Sequence, residues 1–288
     1  MLKPINKILV LFLALSALLM ICSCGSDSQE SVQISSSDNQ LFLPIIMYHS
    51  VLADDENCNE YVTDADTLKA DIQYLRDNGY TAVSLTQIID YVYNGKPLPE
   101  KPVVLTFDDG CYNFLTVVMP ILRENNFCAT LSVVGSFAQK EKEQAQKQSS
   151  LYSYLTFEQI KEISKCGYVE IASHSYNMHS LGKRKGSLKL ETESYEEYRS
   201  RFLSDVLVNN KLLSDNCSVI PVAYTYPYGF VCEESLELVK ACRFQVSLGV
   251  EKRANYITSD PECLYCLNRY NRPHGISTEE FMEKVLSP

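Results

Sequence analysis

The 288-residue chain predicts an α/β fold: an irregular (β/α)7-type barrel forming a single domain behind an N-terminal apolar segment. Three observations predict it. From Leu41 onward, short apolar runs alternate with segments of helical period, and repeated βα units imply a parallel sheet covered by helices. Seven or eight such units follow one another in about 250 residues, the size of one barrel. No linker composition interrupts the chain after Gln40, so nothing marks the start of a second domain.

Each element has a local reason. Lys3 and Lys7 flank the apolar run 8–21, which is short for a membrane span and suits a signal-peptide core. Ser23-Cys24 resembles a bacterial lipobox with Cys24 as the lipid-bearing residue. Cys22 fits less well, because bulky Ile21 would sit at the cleavage point. A plain secretory signal with an accidental cysteine is the alternative. The expected division is a signal peptide over 1–23, a polar, Ser-rich flexible tether over 24–40 and the domain over 41–288. The expected location is outside the cytoplasm of a bacterium, anchored to its membrane through a lipid on Cys24.

Within the domain, 43–48 is a short apolar strand. Leu68, Ile72 and Leu75 give 66–78 a helical period that stops at Gly79. A strand over 81–85 leads to a helix capped near Thr86, and Pro97 and Pro99 mark a turn. Next come a strand over 102–107, a helix over 112–125 and a strand over 127–134. The stretch 139–148 is polar without an apolar face and reads as solvated surface. Thr156 with Gln159 forms a capping box for a helix ending at Gly167. A strand over 168–172 follows. Ser194 with Glu197 caps a long helix to Ser214. The chain then gives a strand over 219–226, a helix over 233–242, strands over 244–249 and 263–270, and a last helix over 278–286.

Charge and cysteine usage narrow the function. Acidic residues outnumber basic ones 36 to 26, for a formal charge of -10. A nucleic-acid binder carries a basic face, so nucleic acid is not an expected partner. Eleven cysteines in an exported chain suggest disulfides. Without Cys22 and Cys24 nine remain, an odd number, and several sit in apolar contexts where a thiol behaves as a small hydrophobe. Cys263 and Cys266 form a CxxC that reads as a solitary disulfide or two packed thiols.

The chemistry gathers at strand ends, which converge on one face of such a barrel. Strand 102–107 runs into Asp108-Asp109-Gly110. A helix N-cap explains one acid but not two. Strand 168–172 runs into Ser173-His174-Ser175-Tyr176-Asn177-Met178-His179, which holds half of the four histidines. Residues five apart share neither a helix face nor a strand face, so only a loop can bring this pair together. With an acid from the first loop they make a two-His, one-carboxylate set suited to Zn²⁺ or another divalent first-row ion. A third strand ends in Tyr226-Pro227-Tyr228-Gly229. It reads as a turn, or as a turn whose N–H after the proline serves as an oxyanion donor.

These motifs resemble the polysaccharide deacetylases of carbohydrate esterase family 4, the NodB-homology domain. Thr106 to Gly110 matches the family's first motif, His174-Ser175 with His179 the second, and Tyr226 to Gly229 the third. The resemblance runs from about Pro102 to the C-terminus. The segment Pro44 to Val51 extends it towards the subgroup acting on exopolysaccharides such as poly-N-acetylglucosamine. It implies an irregular barrel of seven βα units and one divalent metal ion, foremost Zn²⁺. It also implies that Asp108 is the general base, that Asp109, His174 and His179 are metal ligands, and that the Tyr228 N–H faces the oxyanion.

The chain departs from the family pattern in places. Thr225 stands where many relatives place an Arg that contacts the catalytic Asp. Trp is absent, although the fourth motif usually holds one. The last strand offers Leu267-Asn268-Arg269 where a His is common, so Arg269 is the candidate to restrain Asp108. The general acid is then sought in His49 or His274. His49 is favoured because it ends a strand on the catalytic face, and because relatives in the subgroup use a histidine of the first strand. The implied activity is removal of acetyl groups from an N-acetylated envelope glycan, either peptidoglycan or a secreted aminoglycan. The alternatives are an O-acetyl esterase on a glycan such as xylan, and a tethered glycan-binding protein without turnover.

Overall fold

The computed structural model describes residues 40–144 and 147–288. The expected signal peptide, the Cys24 anchor and the tether up to Asn39 lie outside the described residues. Among the described residues, no helix is long and apolar enough to cross a membrane.

The strands are β1 (Leu41–Phe42), β2 (Ile45–Tyr48), β3 (Ser50–Leu52), β4 (Val62–Asp64), β5 (Thr81–Ala82), β6 (Pro102–Phe107), β7 (Ala129–Val133), β8 (Val169–Ser173), β9 (Ala223–Thr225), β10 (Val246–Leu248), β11 (Tyr256–Ile257) and β12 (Tyr270–Asn271). The helices are α1 (Ala65–Asp77), α2 (Leu85–Asn94), α3 (Met119–Asn125), α4 (Gly135–Gln144), α5 (Phe157–Ser164), α6 (Tyr195–Cys217), α7 (Glu233–Ala241) and α8 (Thr278–Val285). Seven parallel strands form the curled sheet in the order β10-β9-β8-β7-β6-β2-β12, and β5 pairs beside β6. The two edges meet along an irregular seam. Leu267 bridges to Leu248 of β10, and three residues later Tyr270 pairs with Ile46 of β2. The fold is the expected irregular barrel.

Strand periodicity decides what faces where. On β6, Val103, Leu105 and Phe107 pack outward among buried residues of α1, α3 and α8, including Leu68, Ile72, Ile121 and Met282. Val104 packs inward with Ile45, Ala172, Ala223 and Val246 of other strands. Side chains alternate along a strand, so Thr106 and Asp108 continue the inward row. The capping boxes at Thr156/Gln159 and Ser194/Glu197 both form.

Several local expectations need correction. The α2 cap is Ser84, boxed with Gln87, while the Thr86 N–H donates to Glu170 of β8. The helix expected over 112–125 begins as a π-helix, Phe114–Val118, before α3. Pro120 explains this: it has no N–H for the carbonyl four residues earlier and crowds it, so the preceding turn widens. The first part of 139–148 lies at the surface as expected, and it is helical, the end of α4. The strand expected over 263–270 is instead a 3-10 turn, Pro261–Leu264, then the seam, with only Tyr270–Asn271 paired as a strand. Pro261 at the start of that turn and Cys266 at φ +58° break the extended path. Cys263 and Cys266 are both free thiols, as are the other seven cysteines among the described residues.

Candidate metal centre and active site

Three strand ends build the site, and each turns through left-handed backbone at a residue other than glycine. Asp109 has φ +72°, Ser175 +69° and Tyr228 +57°. Such conformations cost about 1–3 kcal/mol each and persist where the surroundings over-determine them. The turn after β6 thus begins at Asp109 itself, and Gly110 at φ +75° completes it. Asp108 keeps the inward direction of its strand, and Asp109 is swung beside it.

Asp109 Oδ1 lies 3.0 Å from His179 Nε2 and 3.5 Å from His174 Nε2. The loop carrying both histidines is fixed from α6, where Asp205 accepts the N–H groups of Tyr176 and Asn177 at 2.8 Å each. His174 Nδ1 lies 2.8 Å from the Thr225 carbonyl oxygen. A carbonyl only accepts, so Nδ1 carries the proton and Nε2 is the atom turned to Asp109. The three atoms form a cluster with metal-ligand spacing. Asp109 Oδ1 is buried without a hydrogen-bond partner. Acceptor lone pairs aimed at one another repel unless a cation or a proton lies between them. One carboxylate and two imidazoles are a usual donor set for Zn²⁺, so these residues fit one divalent ion. Without an ion, a proton takes that place. Burial opposes charge on Asp109, but the facing His174 and His179 imidazoles outweigh it and hold the carboxyl well below its ordinary range. Burial likewise lowers His174, and the Asp109 and Asp108 carboxylates outweigh it and raise the imidazole. Metal binding therefore competes with protons and weakens as pH falls.

Asp108 has a different environment. Arg269 Nη1 and Nη2 donate to its Oδ1 and Oδ2, both at 2.8 Å. Arg269 is fully buried and also donates to the Gly249 carbonyl and to Thr106 Oγ1. Burial alone would raise the Asp108 carboxyl, and the Arg269 and His174 charges bring it below the ordinary range. Asp108 Oδ2 is 4.0 Å from His174 Nε2. Each carboxylate oxygen has two acceptor positions and Arg269 takes one on each. Asp108 is thus clamped next to the metal set with capacity left to take a proton.

His49, Asp108, Asp109, His174, His179 and Tyr228 all line one cavity of about 860 Å³. His49 packs edge-on against Tyr61, ring centroids 5.2 Å apart, and its buried Nδ1 has no hydrogen-bond partner. Its pKa departs from the ordinary histidine value. Burial lowers it by more than the Asp108 and Asp109 charges raise it. Tyr228 lays its ring on His179, centroids 4.4 Å apart. His274 is not among the lining residues; its Nδ1 lies 3.2 Å from Asp64 Oδ2. The sequence reading missed the cavity's aromatic walls. Phe137 packs 5.5 Å from His179, and Tyr154 packs 4.4 Å from Phe137. They lie outside the three motifs, and no local pattern distinguishes them from core aromatics.

A family model described as polysaccharide deacetylase matches residues 95–247. The chain belongs to that family. The matched stretch holds Asp108, Asp109, His174, His179 and Tyr228; His49 and Arg269 fall outside it. Among curated proteins, the chain is 29% identical over 320 aligned positions to a poly-β-1,6-N-acetyl-D-glucosamine N-deacetylase of Escherichia coli K12, covering all of this chain and 46% of that protein. It therefore spans about half the length of that relative. It is 25% identical to the putative polysaccharide deacetylase YxkH of Bacillus subtilis, over 83% of this chain and 74% of that one. Among solved structures, a de-N-acetylase from Aggregatibacter actinomycetemcomitans superposes with a TM-score of 0.68 at 27% identity, over 83% of this chain and 96% of that one. A Streptococcus pyogenes deacetylase, PplD, has the same TM-score at 20% identity and shares the fold.

Proposed function

We propose that this chain is a zinc-dependent N-deacetylase of a β-1,6-linked N-acetylglucosamine polymer. The observation that carries the chemistry is the Asp108–Arg269 pair set beside the Asp109, His174 and His179 cluster in one open cavity. A pure binder needs no clamped carboxylate next to a metal set. The glycan is drawn from the named activity of the Escherichia coli relative.

Asp109, His174 and His179 would hold the ion, which supplies a Lewis acid for the acetyl carbonyl and lowers the pKa of bound water. Asp108 takes one proton from the attacking water as its oxygen bonds to the acetyl carbon. Arg269 keeps that carboxylate ionised beforehand and fixes its direction. The Tyr228 N–H donates to the carbonyl oxygen as negative charge develops there. The C–N bond then breaks, the amine nitrogen takes a proton from His49, and acetate and a free amine leave. The aromatic walls of the cavity offer faces for sugar rings.

The test is to incubate zinc-loaded protein with poly-β-1,6-N-acetylglucosamine oligomers, peptidoglycan fragments and acetylated xylan, measuring acetate and free amine. Equal amounts of both from the first substrate are expected. Faster release from peptidoglycan, or acetate from xylan without amine, would overturn the reading. So would binding of any of these glycans without turnover.

The role of His49 has its own check. His49→Ala should keep the metal, lower turnover sharply and remove the alkaline limb of the pH–rate profile. Because burial holds the imidazole down, that limb should lie below the pH expected of an ordinary histidine. Near-normal turnover would rule out the role.

We also propose, from the lipobox-like Ser23-Cys24 after the apolar run 8–21, that the domain is held outside the cytoplasm by a lipid on Cys24. Cys24→Ala should move the protein from the membrane fraction to the soluble fraction of cells and leave its signal uncleaved. Unchanged fractionation and processing would contradict the anchor.

A further inference from the structure

A second group of ligating side chains lies outside the catalytic set. Cys58, Asp64 and His274 each offer one donor atom, and these atoms come within the spacing of a common metal shell. They come from three separate parts of the chain. Cys58 stands on the loop between β3 and β4, Asp64 ends β4, and His274 follows β12. Backbone bonds hold the three together. Asn59 O accepts the His274 N–H at 3.1 Å, the Cys58 N–H donates to Asp55 O at 3.2 Å, and the Asn59 N–H donates to Val62 O at 2.8 Å. Asp64 is buried and already fixed as the α1 N-cap, with Oδ1 accepting the Thr67 N–H at 2.8 Å. Its Oδ2 lies 3.2 Å from His274 Nδ1, a distance close to that between two ligands of one small ion.

The charge around this group favours a cation. Asp54, Asp55, Glu56 and Glu60 lie on the same loop, and residues 53–61 contain no Lys or Arg. A thiolate, an imidazole and a carboxylate together suit Zn²⁺ or another borderline-soft divalent ion, with a fourth position open to water. A simple Asp–His ion pair would leave the Cys58 thiol only its long 3.6 Å contact to the Asp54 carbonyl oxygen. An ion would use all three.

We propose that Cys58, Asp64 and His274 form a second divalent-metal site, structural in role, that ties the β3–β4 loop to the segment after β12. The consequence reaches the catalytic cavity. Glu60 and Tyr61 of this loop and Val62 at the start of β4 line it, and Tyr61 packs against His49. Fixing Cys58 therefore fixes the wall that carries the His49 contact. The proposal does not depend on the substrate or on turnover.

The experiment uses the full chain, stripped with chelator, kept reduced with a non-thiol reductant and titrated with Co²⁺. The catalytic set has no sulfur ligand, so a thiolate-to-cobalt charge-transfer band that disappears in Cys58→Ser reports this second site. Wild type should bind two equivalents and show the band. Cys58→Ser and, independently, His274→Ala should each bind one equivalent and lose the band while keeping the wild-type circular dichroism spectrum. The His174→Ala, His179→Ala variant should bind one equivalent and keep the band. A single equivalent in wild type without the band would overturn the proposal. So would a band of unchanged strength in Cys58→Ser.

Discussion

Asp108→Asn is expected to keep the metal ion and lose roughly 10²- to 10⁴-fold in turnover, the usual contribution of a positioned general base. The geometry separates this residue from its neighbour. Asp109 points an oxygen without a hydrogen-bond partner at two imidazole nitrogens. Asp108 gives one acceptor position on each oxygen to Arg269 and so cannot swing to join that set. An asparagine amide keeps one acceptor for the guanidinium but cannot take a proton from water. The variant also leaves the Arg269 charge less well compensated, so rates should be compared below its unfolding transition. Metal content by elemental analysis and the single-turnover rate form the check. Loss of the ion would make Asp108 a ligand, and a rate within threefold of wild type would remove it as the base.

Arg269→Leu should cost about 3–5 kcal/mol of unfolding free energy, because removing one partner of a buried ion pair leaves the other charge uncompensated. Both partners are buried, so water can do little to screen the loss. The effect should depend on pH with a definite sign. In wild type the Asp108 carboxyl titrates below its ordinary range. The stability it contributes is therefore present above the unfolded-state pKa and is lost as pH falls through the folded-state value. With Arg269 gone, burial acts almost unopposed and the carboxyl pKa rises. The acidic limb of the rate profile should move to higher pH in the same variant. Urea unfolding near pH 7 and a pH–rate series test both parts. A stability change under about 1 kcal/mol with an unmoved acidic limb would reduce Arg269 to packing.

What could be read from the sequence was local. Strand 102–107 and the acids after it were legible because an apolar run followed by two carboxylates has no simple packing reason. The capping boxes at Thr156/Gln159 and Ser194/Glu197 were legible because all their hydrogen bonds lie within three residues. Contacts set by the tertiary fold were not. The cap of α2 is as local as those boxes, Ser84 paired with Gln87, and placing it near Thr86 sets it two residues late; only the further contact from the Thr86 N–H to Glu170 crosses more than eighty residues of chain. Apolar spacing over 263–270 imitates a strand, but Pro261 and the left-handed Cys266 turn the segment into a seam. That seam is what delivers Arg269 to Asp108 from 161 positions away. The sequence could name Arg269 only as the basic residue left where a histidine was absent. Its full burial and two-pronged contact come from barrel closure.

The central claim is that Asp109, His174 and His179 hold the ion on which turnover depends. The most direct measurement pairs metal content with acetate release on the same protein samples. Chelator-treated wild type should lose turnover and recover it on adding Zn²⁺. The His174→Ala, His179→Ala variant should hold one ion fewer per chain than wild type and release no acetate at any zinc concentration. Metal content equal to wild type in that variant, or acetate release that survives chelation, would contradict the account.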